Sequence, residues 1–291
     1  MDIPRYDDQY VIVDGSRIRY WVMGKGPALI LVPGLAASVE FWQYNVGPLA
    51  ARYRVHALDV LGFGKSDKEI GQFSLSYAAS FMARFMDALE IERASLVGNS
   101  LGGVVCAQTA AQFPERVCRL ILVGSAGLGR ELSPFLRLWS VPLLGNLVFR
   151  MYQRAFPSLK RWVFSDSRAI DDEWLRAAAT VLRTPGVRES TLKVARMGVS
   201  LRGQREEMLG DFRREVAAMD IPTLIIWGRH DAAVPVVHAY RARDLIPNSE
   251  VHIMERCGHI PQVERPEEFN GLVLDFLGAS RCPEPITEGR P

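Results

Sequence analysis

The sequence predicts an α/β chain built on a mostly parallel sheet, and three observations predict it. Short continuous apolar runs alternate with longer segments of helical period, the pattern of buried strands covered by helices. Turn-forming pairs such as Asp14-Gly15 and Pro33-Gly34 punctuate the runs. Strand character vanishes between residues 129 and 219 and then returns, so a helical insertion interrupts one sheet.

In order, residues 10–13 and 18–22 read as two strands joined at Asp14-Gly15, a hairpin turn pair. Residues 28–32, an uninterrupted apolar run, form the next strand, and 54–59 another, followed by a glycine-rich turn. Helical spacing occupies 75–89, and 94–97 is again a short strand. It runs into Gly98-Asn99-Ser100-Leu101-Gly102-Gly103 and a helix over 101–113. After the strand at 120–123 comes the helical stretch, punctuated by Pro134, Pro142, Pro157 and Pro185. Strands return at 223–227 and 250–254, and a closing helix starts at Pro266-Glu267-Glu268, with proline and acidic residues in its first turn. The tail from Arg281 is expected to fray. Residues 1–128 and 220–291 thus make the sheet domain, and 129–219 a helical cap.

Composition narrows the class. Hydrophobic residues are 48% and charged residues 23% of 291, ordinary for a soluble globular chain that buries a core without metals or disulfides. The net charge of +2 and the lack of a basic run argue against nucleic acid and against a stable membrane anchor. Cys106, Cys118, Cys257 and Cys282 show no CxxC or framework spacing, which points to a reducing compartment. The N-terminal MDIPRYDDQY lacks the apolar core of a signal peptide, and no apolar run is long enough to span a bilayer. The expectation is a cytoplasmic monomer or homodimer.

The chemistry gathers at strand ends. Gly98-x-Ser100-x-Gly102 lies between a strand and a helix, the setting that distinguishes a nucleophile turn from a plain glycine-rich βα loop. A serine there projects its hydroxyl at a helix N-terminus, where N–H groups can stabilise an oxyanion. It needs a base. His56 and His252 fall inside predicted strands, and His238 is expected on a helix surface. His259 follows a strand in Cys257-Gly258-His259-Ile260-Pro261, where open parallel sheets place their chemistry. Asp231, in the loop after 223–227, supplies the carboxylate that fixes the imidazole tautomer. The order Ser100, Asp231, His259 matches one of the three known triad orders. The N–H groups of Leu35, after the Pro33-Gly34 turn, and of Leu101 are the candidate oxyanion donors. Ala36, Trp139, Leu143, Phe149 and Ile260 are the candidate substrate-pocket residues.

On these residues the chain resembles the α/β-hydrolase superfamily from about residue 11 to 277, which implies an eight-stranded sheet. The turn Asp59-Val60-Leu61-Gly62-Phe63-Gly64-Lys65-Ser66-Asp67 is similar to the family's D-x-x-G-x-G-x-S turn, which supports the nucleophile from below. Phe41-Trp42 and Glu264-Arg265-Pro266-Glu267-Glu268-Phe269 are also familiar there. Relatives commonly have His-Gly where this chain has Pro33-Gly34, a difference that bears on the geometry of the loop. Relatives that dehalogenate or open epoxides carry aspartate at the position of Ser100.

Other chemistries lack their residues. The first glycine of a phosphate-binding loop ending at Gly64-Lys65-Ser66 would fall on Asp59, and no metal-ligand spacing occurs. A cofactor-free, metal-free enzyme acting on a small molecule is expected. Its leading activity is hydrolysis of a small-to-medium apolar acyl ester. Cleavage of a carbon–carbon bond in a vinylogous 1,5-diketone is the alternative, since Gly98 to Gly103 and Cys257-Gly258-His259 are similar to ring-fission-product hydrolases. Against it stand Ile260, where those relatives usually have tryptophan, and Leu35-Ala36-Ala37 in place of a more glycine-rich loop. A ligand receptor with little turnover is the third reading, which an intact triad disfavours.

Overall fold

A computed structural model describes residues 5–71, 74–156, 164–166 and 170–279. The tail from Arg281 and the break expected at Pro157 lie outside them. Strands β1 (Gln9–Val13) and β2 (Ser16–Met23) form the hairpin. Asp14 and Gly15 both take positive φ, 50° and 77°, as a tight hairpin turn of matching twist requires. Strands β3 (Ala28–Val32), β4 (Arg54–Leu58), β5 (Ala94–Asn99) and β6 (Val117–Val123) follow. Two-residue strands β7 (Val199–Ser200) and β8 (Gly203–Gln204) pair only with each other, and β9 (Thr223–Gly228) and β10 (Ser249–Met254) complete the main sheet. Its order is β1-β2-β4-β3-β5-β6-β9-β10. The two pairs made by β2 are antiparallel, and every pair from β4 to β10 is parallel.

All residues of β5, β6 and β9 are buried, which is why these strands read as continuous apolar runs. Within them, side chains still alternate between faces. After the one-turn α1 (Val46–Leu49) come the two helices of one face: Ile30, Leu96, Leu120 and Ile225 pack under α2 (Leu75–Ala88) and α3 (Leu101–Gln112), in a cluster with Phe81, Phe85 and Val104. Leu29, Val97, Ile121 and Leu224 face the other way, toward Trp42, Phe269 and Val273. Ser74 caps α2, its Oγ accepting from the Tyr77 N–H at 3.0 Å.

Between β6 and β9 the described chain forms α4 (Pro134–Leu138), α5 (Leu144–Ala155), α6 (Asp172–Leu182), α7 (Val187–Gly198) and α8 (Glu206–Ala217). Trp139, Phe149, Trp174, Leu175 and Leu182 cluster with Ala37, Phe41 and Ile260 of the sheet side, seating these helices over the strand ends. Helix α8 differs: Phe212 and Val216 pack with Val104 and Val105 in the sheet-side cluster. The β7–β8 pair also corrects the expectation of no strand here. It is too short to show alternation, and its turn depends on Gly203 at φ 111°.

His238 departs from its expected surface position. It opens α9 (Val237–Leu245) but is fully buried, its Nε2 3.2 Å from a Glu131 carboxylate oxygen, because the chain after β6 folds over it. His56 lies in β4, stacked on Tyr20, and neither ring nitrogen has a hydrogen-bond partner among the described residues. Burial, with the charge of Arg54 second, holds its pKa at about 4. The imidazole is therefore neutral in the fold and protonates in the unfolded chain first. Stability from this residue is lost as pH falls from about 6.5 toward 4. His56→Leu is expected to flatten that acid limb by roughly 3 kcal/mol, read from urea unfolding at pH 7 and pH 4. An unchanged limb would refute this account of His56.

Candidate active site

Strand β5 delivers Ser100 to a turn that few sequences can make. Ser100 sits at φ 55°, ψ −116°, a strained backbone for a residue with a side chain. Its N–H donates to Val123 O at 2.9 Å and its carbonyl accepts from Ala126 N at 3.2 Å, so β6 holds the turn in place. The flanking glycines are steric requirements. A Cβ on Gly98 would lie 2.3 Å from Gly102 O, and one on Gly102 would lie 2.2 Å from Val32 O. Asn99, between them, donates from Nδ2 to Val123 O (3.0 Å) and to His259 O (3.2 Å). This buried amide straps the serine strand to the histidine loop.

Asp231 and His259 meet where the loops after β9 and β10 converge. Asp231 Oδ1 accepts the N–H groups of Ala233 and Val234, both at 2.8 Å, and Oδ2 lies 2.7 Å from His259 Nδ1. With both carboxylate oxygens occupied and the side chain fully buried, the pair has little freedom. Nδ1–H donating to Asp231 leaves Nε2 as the free acceptor. The histidine loop is set in turn by Glu264, whose carboxylate accepts from Gly258 N and Asp166 N, each at 2.7 Å. Burial pushes the Glu264 carboxyl above its usual range, opposed by those N–H donors. Burial likewise raises the neighbouring Cys257 thiol, which keeps it protonated and inert.

Gly124, at the end of β6, carries no motif but has a positional role. A Cβ there would lie 3.2 Å from Asp231 Oδ2 and 3.3 Å from His259 Nδ1, and φ is 51°. Sequence reasoning missed Gly124 and the strap made by Asn99, because each acts through a contact between distant segments.

Leu35 and Leu101, the candidate oxyanion donors, both line one cavity with Ser100 and His259. Leu101 opens α3, so its N–H has no carbonyl one turn earlier to bond. The loop around Leu35 turns tightly: Ala37 N donates to Gly34 O at 3.2 Å and Ala36 takes φ 60°. A Cβ on Gly34 would lie 3.1 Å from the Ser100 Cβ. The far end of this loop is held by Asp59, which accepts from Val39 N at 2.7 Å and Lys65 N at 2.6 Å. Its side-chain bonds thus brace the end of the loop that runs past the serine. Arg19 bridges Asp59 and Glu40 within the same buried cluster. From the cap, Trp174 Nε1 donates to Glu40 O at 2.8 Å.

The cavity measures about 280 Å³ and is walled by Phe41, Phe135, Trp139, Tyr152 and Phe156, with no lysine or arginine among its described lining residues. Of the expected pocket residues, Ala36, Trp139 and Ile260 line it. Phe149 does not. It is fully buried behind Trp139, ring centroids 4.9 Å apart, as second-layer packing. Leu143 does not either: it precedes α5 on the outer face of the cap and is 85% exposed.

An eight-stranded sheet with a strained serine at a strand–helix turn, and a hydrogen-bonded Asp–His pair whose histidine lines the same cavity, defines a hydrolase architecture. The chain belongs to the alpha/beta hydrolase fold family, whose model matches residues 27–266. It is 33% identical over 266 residues to the 2-hydroxy-6-oxo-6-phenylhexa-2,4-dienoate hydrolase of Burkholderia cepacia, covering 87% of this chain and 88% of that one. A meta-cleavage product hydrolase from Pseudomonas fluorescens is similar in structure, with TM-score 0.78 and 28% identity over 95% of this chain and 98% of its own. A bacterial membrane phospholipase A superposes with TM-score 0.77 and 28% identity over 94% and 86% of the two chains.

The geometry of the pair can be tested without turnover. His259 Nδ1–H is expected to give a low-field proton resonance that is absent in Asp231→Ala and shifted or lost in Gly124→Val. A resonance unaffected by either substitution would show that the pair does not form.

Proposed function

We propose that this protein is a serine ester hydrolase acting on a neutral substrate with a small-to-medium apolar acyl group. The observation that carries the choice is the absence of lysine and arginine from the described lining of the cavity. The hydrolases of dienoates among its relatives are named for substrates that are carboxylic acids. Moving a carboxylate from water into an apolar pocket is strongly unfavourable unless a cation or a set of N–H donors receives it. Here the described lining offers no lysine or arginine, whereas a neutral ester needs only apolar contact and an oxyanion site. The cavity, about 280 Å³, is at the small end for ligand sites, which suits such a substrate.

In this reading Ser100 Oγ attacks the ester carbonyl as His259 Nε2 takes its proton. The developing oxyanion is received by the N–H groups of Leu35 and Leu101, each such donor being worth about 10²–10³ in rate. His259 then passes the proton to the departing alcohol. Water, activated by the same imidazole, attacks the acyl-enzyme and releases the acid. Asp231 holds the tautomer and stabilises the imidazolium.

A second reading is favoured by the relatives themselves: cleavage of a carbon–carbon bond in a 2-hydroxy-6-oxo-dienoate by the same three residues. The two are separated by comparing turnover of aryl esters of graded acyl length with turnover of such a dienoate. The ester reading expects higher kcat/KM on a neutral ester, and a clear preference for the dienoate would overturn it. Ser100→Ala is expected to abolish turnover of either substrate, and Asp231→Asn to lower kcat by about 10⁴ with the fold intact. A folded Ser100→Ala protein retaining the wild-type rate would remove the mechanism altogether.

A further inference from the structure

Helix α5 has two apolar faces, and only one belongs to the cavity. Phe149, Tyr152 and the following Phe156 turn inward to the cap cluster. On the other side Leu143, Leu144, Leu147 and Met151 are 85%, 42%, 58% and 61% exposed. Leu143, Leu147 and Met151 recur every four residues and so form one stripe along the helix. Leu143 is moreover held at φ 62°, ψ −58°, where leucine is disfavoured, and its side chain adds nothing to the packing of the cap.

The chain segment that carries the stripe has charge of a single sign. Between Glu131 and Asp166 the chain carries five lysines and arginines and no acidic residue. Two of them, Arg150 and Arg154, are exposed on α5 itself. Arg150 lies in the field of Glu189, a carboxylate that Arg188 already engages.

We propose that α5 and the turn before it dock in the plane of an anionic phospholipid bilayer. Leu143, Leu144, Leu147 and Met151 enter the acyl boundary, and Arg150 and Arg154 reach the phosphate headgroups. An apolar stripe flanked by arginines is the pattern of a helix that lies in a membrane interface. The alternative occupant, a second copy of the chain, fits less well. A two-fold contact through this stripe would bring both pairs of arginines together, with no carboxylate on α5 to offset them. Docking is on the surface only, since no described helix is long and apolar enough to cross a membrane. It would set the roof of the cavity against the lipid, because Trp139, Tyr152 and Phe156 line the cavity from the same part of the cap. The proposal goes beyond the ester reading and does not rest on it, since docking is measured without turnover.

The test is flotation of the full chain with vesicles of phosphatidylcholine, and of phosphatidylcholine with about one-third phosphatidylglycerol. The expected result is binding to the anionic vesicles, weakened by high salt. Leu147→Glu/Met151→Glu is expected to lower it at least about tenfold. Arg150→Gln/Arg154→Gln is expected to remove the preference for anionic lipid by a similar factor. Unchanged thermal midpoints would show that the variants fold; should the glutamate variant fail to fold, the glutamine variant and the salt series decide. No binding to the anionic vesicles, or binding untouched by both double variants, overturns the proposal. So does a dimer in solution that Leu147→Glu/Met151→Glu converts to a monomer.

Discussion

The close approach of β3, β5 and α3 around Ser100 is the constraint on which the rest of the site depends. Backbone atoms meet where any side chain on Gly98 or Gly102 would overlap a carbonyl oxygen. That contact lets the serine occupy a backbone conformation it would otherwise leave, at a cost of order 1–3 kcal/mol met by the surrounding sheet. The hydrogen bond from Ser100 N to Val123 O extends the parallel ladder into the turn. Ser100 is thus fixed by the most buried part of the molecule rather than by a mobile loop.

The other components are fixed to that centre by buried polar contacts with definite partners. Asn99 reaches the carbonyl of His259, Glu264 sets the loop before it, and Asp231 has both oxygens engaged. On the opposite side, Asp59, Arg19 and Glu40 hold the end of the loop that carries Leu35. A buried ion cluster of this kind adds little net stability, because desolvation offsets most of the attraction. Its contribution is geometric: it sets where the loop ends relative to β4.

The inserted segment serves two layers of the molecule. Its first helices roof the cavity with aromatic side chains, and Trp174 anchors them to the loop at Glu40. Its last helix packs beside α3 on the sheet side. The same α5 whose Tyr152 lines the cavity shows an apolar stripe outward, so the cap has an inner and an outer apolar surface.

The sequence by itself determined the sheet, the order of its elements and the positions of Ser100, Asp231 and His259. Buried parallel strands leave continuous apolar runs, and a strand–Gly-x-Ser-x-Gly–helix turn has a local steric cause that residues next to one another record. It also placed Leu35 and Leu101 beside the serine, because each follows directly from a turn that the sequence marks. What only the tertiary structure decided concerns contacts between distant segments. Gly124 touches the Asp–His pair, Asp59 braces the loop of Leu35, and His238 is buried by a chain more than a hundred residues earlier. The cap was the least legible part. An apolar residue on a short helix reads alike whether it faces a cavity as Trp139 does, sits behind it as Phe149 does, or faces outward as Leu143 does. Which of these holds depends on how the helices rotate when they pack, and composition does not record that rotation.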